Sequence, residues 1–79
     1  MIKEKIGNRI KEIRLFTLKI SQEELATKIG CDRTFLSRVE SGKQNITIEN
    51  LYAICLGLNV SLSTFFEPFS SIKIEGDQK

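Results

Sequence analysis

Ile6, Ile10 and Ile13 stand at i, i+4 and i+7, with Lys5, Arg9, Lys11, Glu12 and Arg14 between them. Apolar residues at that spacing fall on one face of a helix, so the chain is expected to open with an amphipathic helix over about Lys3 to Thr17. Ser21 is followed three residues later by Glu24, the pairing in which each side chain satisfies the other's free backbone amide at a helix start. A second helix therefore begins at Gln22, buries Leu25, Ala26 and Ile29, and ends at Gly30, whose missing β-carbon permits a left-handed turn. Cys31 alone separates this stop from Asp32, a good N-cap for a third helix that continues through Glu40 and is closed by Gly42. Leu36 and Val39, three apart, face inward on it. At 100° per residue Thr34, Ser37, Arg38 and Ser41 then point away, with Arg33 and Phe35 on the flanks.

A polar loop from Gln44 and Asn45 leads to Thr47, which with Asn50 at the third helical position marks a fourth helix over about Ile48 to Leu56. The run Leu51, Tyr52, Ala53, Ile54, Cys55, Leu56 is apolar or aromatic all round, so two faces of this helix are expected to be covered, and Gly57 is expected to end it. Ser61 caps a short fifth helix carrying Leu62, Phe65 and Phe66, which Pro68 cannot propagate. Beyond it no periodicity is visible. The expected fold class is all-α, a compact five-helix bundle forming one domain over 1–79, with a helix-turn-helix at about 21–41 and a tail at about 68–79.

At 79 residues the chain has room for one core, and 41% apolar against 28% charged residues is enough to build it. The longest apolar stretch, Leu51 to Leu58, is far short of the roughly 20 residues that span a bilayer. Met1 to Lys11 alternates charge with isoleucine and has no secretory h-region, so the expected location is the cytoplasm, with no membrane partner. Cys31 and Cys55 form no ligand cluster and are expected to be reduced, mostly buried thiols. There is no histidine, which removes the commonest general base and metal ligand and argues against an enzyme, a metal or another cofactor. The net charge of +2 is uneven, +4 over residues 1–45 and −2 over 46–79, as suits a front that faces a polyanion.

Double-stranded DNA is the partner this arrangement suits, with the third helix in the major groove. Arg33 and Arg38 are candidate base readers, because an arginine fork can bond O6 and N7 of guanine together; Thr34 and Ser37 stand beside them. Gln22, in the first turn of the second helix, and Lys43, Gln44 and Asn45, after the third, are candidates for phosphate contacts. Phe35 has two readings, a contact to a thymine methyl or sugar edge, or a core residue at the helix margin. Glu40 also has two: orienting Arg38, or pairing with the first helix. Ile46, Leu51, Ile54, Phe65 and Phe66 are candidates for a homodimer interface, since so small a domain has few places to hide apolar residues on all sides of a helix. Two-fold pairing would set the recognition helices roughly 34 Å apart on a near-palindromic site.

The run Ser21-Gln22-Glu23-Glu24-Leu25-Ala26, then Gly30, Asp32 to Ser37 and Glu40 to Lys43, resembles the phage repressor and Cro-like (Xre-type, lambda repressor-like) helix-turn-helix domains. Asp32-Arg33-Thr34-Phe35 and Asn45-Ile46-Thr47-Ile48 are particularly similar to controller proteins of restriction-modification systems, and the likeness covers about residues 5–66. It implies a short dimeric regulator of its own operon, activating at one occupied site and repressing when a second fills, with RNA polymerase as a further partner. Phenylalanine at 35, where tyrosine is more usual, departs from that pattern, and the stretch beyond Pro68 has no match in it. The alternatives are a phage-type repressor or an antitoxin-like protein-interaction module.

Overall fold

The computed structural model describes residues 1–71, all helical where regular. Helix α1 (Ile2–Glu12) runs without a break into a π-helical turn (Ile13–Leu18) closed by Lys19 in the left-handed region at φ 58°. Then come α2 (Gln22–Ile29), α3 (Arg33–Glu40), α4 (Ile48–Leu58), α5 (Leu62–Phe66) and a 3-10 turn (Glu67–Ser71).

Local chemistry sets most boundaries. Glu24 N–H donates to Ser21 Oγ at 3.0 Å and Ser21 N–H to Glu24 Oε1 at 2.8 Å, the reciprocal cap expected at α2. Thr47 and Asn50 form the same pair at α4, and Thr64 N–H donates to Ser61 Oγ at α5. Gly30 (φ 74°) and Gly42 (φ 78°) take the left-handed conformation. Behind them the Cys31 and Lys43 N–H groups reach back to Ala26 O and Arg38 O at 3.0 and 2.9 Å, satisfying carbonyls at the ends of α2 and α3.

Four expectations are corrected. The first helix changes pitch at Ile13, and the wider turn carries Arg14 into the interior while exposing Phe16. Asp32 is the N-cap of α3, but its side chain makes no capping bond. Gly57 does not end α4; Asn59 does, in the left-handed region at φ 64°. Gly57 lies inside the helix because a β-carbon there would strike Ile29 and Leu25 of α2, so its role is close helix packing. Pro68 ends the α-helix yet does not end ordered structure, for Phe69 packs edge-on against Phe66 with centroids 5.2 Å apart. The rest of the expected tail, 72–79, lies outside the described residues.

The core gathers Ile10, Ile13, Leu25, Leu36, Val39, Ile54, Leu58 and Phe65, each buried and drawn from α1 through α5. Arg9, expected on the solvent face, instead donates to the carbonyls of Phe65 and Thr64, both at 2.8 Å, and ties the first helix to the last. No helix among the described residues is long and apolar enough to cross a membrane.

Candidate nucleic-acid interface

Helix α3 buries Leu36, Val39 and Glu40 and presents the opposite face outward. Arg33, Thr34 and Arg38 are exposed there and Ser37 is half-buried, so these four residues share one surface. Arg33 is the first residue of α3, where the positive end of the helix dipole disfavours a cation by about 0.3–1 kcal/mol. No hydrogen bond or ion pair to protein compensates it among the described residues. Phe35 is half-buried and packs against the core, which favours its structural reading while leaving part of the ring accessible.

Arg38 is held from behind. Its Nε donates to Gln44 Oε1 at 3.1 Å and its Nη2 to the Lys43 carbonyl at 3.3 Å, so the loop after α3 restrains the guanidinium. Lys43 and Asn45 are exposed beside it, and Gln44 is half-buried. The close approach of α1 keeps this loop in place: a β-carbon on Gly42 would collide with the Glu4 side chain.

Glu40 does not orient Arg38. Its carboxylate accepts from Arg14 Nε at 2.7 Å and Nη2 at 2.9 Å, a bidentate pair with side chains only 6% and 2% exposed. The same Oε1 accepts from Gln22 Nε2 at 2.9 Å, and Arg14 Nη1 donates to Ile20 O at 2.9 Å. Gln22 is therefore brought to the end of α3 and fixed there. Sequence patterning left both options for Glu40 and put Arg14 on the polar face; the only signal available was that the two are opposite charges on neighbouring helices.

The expected dimer residues divide. Leu51, Ile54 and Phe65 are buried in the chain's own core, at 9%, 1% and 0% exposure, so they offer no surface to another chain. Ile46 and Phe66 are half-buried, and Phe66 packs edge-on to Phe65. The exposed apolar stripe of α4 is instead Ile48, Tyr52 and Leu56, at 83%, 53% and 58%. The helix has one covered face where two were expected.

Cys31 and Cys55 are free, Cys31 half-buried and Cys55 buried. Burial pushes both thiols above their ordinary value, and the Asp32 carboxylate raises Cys31 further. Among the described residues no cluster of cysteine and carboxylate groups is arranged to hold a metal ion.

Residues 10–65 match the helix-turn-helix family. Control protein C.MunI of Mycoplasma sp is 42% identical over 65 residues, which is 82% of this chain and 88% of that protein. The chain belongs to the helix-turn-helix family and, within it, to the restriction-modification control proteins. Control protein C.BamHI of Bacillus amyloliquefaciens is 35% identical over 54 residues, covering 68% of this chain and 67% of its own. The restriction-modification controller protein C.Esp1396I, solved as a tetramer in complex with its natural 35 base-pair operator, shares the fold with a TM-score of 0.81 and 41% identity, over 86% of this chain and 88% of that one. In this member of the family the motif region, the paired caps and the outward face of α3 all lie within the matched segment.

Proposed function

We propose that this chain is a transcription regulator of a restriction-modification system that binds a near-palindromic operator as a homodimer. The observation that carries the reading is the outward face of α3, with Arg33, Thr34, Ser37 and Arg38 aligned on a fold shared with a controller protein solved on its operator. Arg33 and Arg38 read guanine edges in the major groove; Thr34 and Ser37 make single hydrogen bonds; the accessible part of Phe35 meets a thymine methyl. Gln22, Lys43, Gln44 and Asn45 hold the phosphates on either side and set register. Residues 1–71 act as one DNA-binding domain.

The homodimer forms through Ile48, Tyr52 and Leu56, three apolar side chains at i, i+4 and i+8 on one face of α4. Ile46 and Phe66 border that contact. Two-fold pairing then sets the recognition helices one DNA turn apart, roughly 34 Å. Occupation of one site activates the operon through contact with RNA polymerase, and a second dimer represses it. The protein works in the cytoplasm, where the operator is.

Gel shift and footprinting on DNA upstream of its own gene, at two salt concentrations, test the reading. A protected near-palindrome whose occupancy falls steeply with salt is expected, because phosphate contacts release counterions. Absence of protection, with salt-insensitive association to another protein, would instead favour the protein-interaction alternative.

A further inference from the structure

The Arg14–Glu40 pair is more than a structural tie. Replacing a buried ion pair by apolar side chains of similar volume is often neutral or stabilising, so stability alone is a weak reason for one in so small a core. This pair also has a third member. Glu40 Oε1 accepts from Gln22 Nε2 at 2.9 Å while accepting from Arg14 Nη2 at the same distance, and Arg14 Nη1 fixes the Ile20 carbonyl just ahead of the α2 cap.

A carboxylate offers only acceptors, so Gln22 must turn its NH2 toward Glu40; the opposite flip would set oxygen against oxygen. One amide hydrogen is thereby committed. The second remains available at the first residue of α2, whose leading backbone N–H groups have no partner within the helix. No buried side-chain nitrogen or oxygen among the described residues lacks a partner, so the network is complete without DNA and needs no rearrangement to accept it.

We propose that Glu40, locked by Arg14, is a positioning residue for DNA binding: it presents the Gln22 amide as a preset donor to a phosphate. The proposal rests on the reading that Gln22 touches the DNA backbone. Its physical content is preorganisation, since a glutamine already fixed loses little side-chain freedom on binding.

The test is a cycle of four proteins: the unaltered chain, Gln22→Ala, the apolar pair Arg14→Met with Glu40→Leu, and all three changes together. Each is checked for helicity, thermal melting and oligomeric state, then titrated against a mixed-sequence duplex and against DNA upstream of the gene. Gln22→Ala is expected to weaken binding about tenfold in the unaltered background, as for a hydrogen bond to a charged group, and less than twofold where the pair is apolar. An equal loss in both backgrounds would leave the phosphate contact standing and overturn the positioning role. No loss in either would overturn the phosphate contact and the proposal with it.

If the apolar pair fails to fold, NMR of the unaltered chain decides. One Gln22 side-chain amide proton should be shifted and slow to exchange before DNA is added, and the other should shift on addition. Two averaged, fast-exchanging Gln22 protons in the free protein would overturn the proposal.

Discussion

Replacing Leu56 by alanine separates the two faces of α4 and tests where the chain dimerises. Leu56 is 58% exposed, and Ile54, two residues away, is 1% exposed. Leucine to alanine removes apolar surface worth about 2.4 kcal/mol at about 0.8 kcal/mol per carbon group when fully buried. Only the exposed share can be covered by a second chain, which leaves about 1.3 kcal/mol. Two-fold symmetry counts it twice, so the dimer should weaken by about 2.5 kcal/mol, or roughly 60-fold in Kd. Monomer stability should hardly change. Ile54→Ala should do the reverse: it leaves a cavity under α4 and costs about 2–5 kcal/mol of folding stability, with dimer affinity lost only as far as the fold is lost. Sedimentation equilibrium across a concentration series, alongside urea unfolding, reads both quantities. An unaltered dimer constant for Leu56→Ala, repeated in a variant that also carries Ile48→Ala and Tyr52→Ala, would refute the assignment of this stripe. A folded but dissociated Ile54→Ala would point to the opposite face.

Other perturbations probe the remaining links. Arg33→Ala should raise folding stability by about 0.3–1 kcal/mol, because a cation leaves the positive end of α3, and should weaken operator binding by about 1–3 kcal/mol if it reads a base; unfolding and gel-shift titrations must move in opposite directions. Lys43→Ala should weaken all duplexes alike and lower the slope of log affinity against log salt by about one, whereas a loss confined to the operator would make Lys43 a base reader. Gly7→Ala should destabilise by about 1–3 kcal/mol or more, since its β-carbon would meet the backbone carbonyls of Val39 and Glu40, which cannot swing aside; urea midpoints measure it. Burial holds the Cys55 thiol above its ordinary value near 9.0, so the folded state favours the protonated form. Its contribution is intact below that value and is lost as pH rises above it toward the folded-state value. Urea midpoints should therefore decline on the alkaline side, less steeply in Cys55→Ala; identical declines would remove the thiol as the cause.

The sequence by itself determined the elements and the outward face of α3. Ser21 with Glu24 and Thr47 with Asn50 are bonds across three residues, and Gly30 and Gly42 act through their own backbone, so their effects are encoded where they stand. The candidates Arg33, Thr34, Ser37 and Arg38 were legible for the same reason, because helical periodicity fixes which residues oppose Leu36 and Val39. Tertiary structure decided what becomes of side chains whose partners are remote. Arg14 meets Glu40 across 26 positions and Arg9 meets the Phe65 carbonyl across 56, and neither pairing leaves a mark on local periodicity. Gly57 looked like a helix stop because glycine often is one; the contact with Ile29 gives it an interior role and passes the stop to Asn59. The apolar run of α4 has too little periodicity to reveal which face is inward. Packing settles this, covering Leu51, Ile54 and Leu58 and leaving Ile48, Tyr52 and Leu56 open. A pattern specifies how a helix repeats, while the neighbour that covers it is a property of the whole fold.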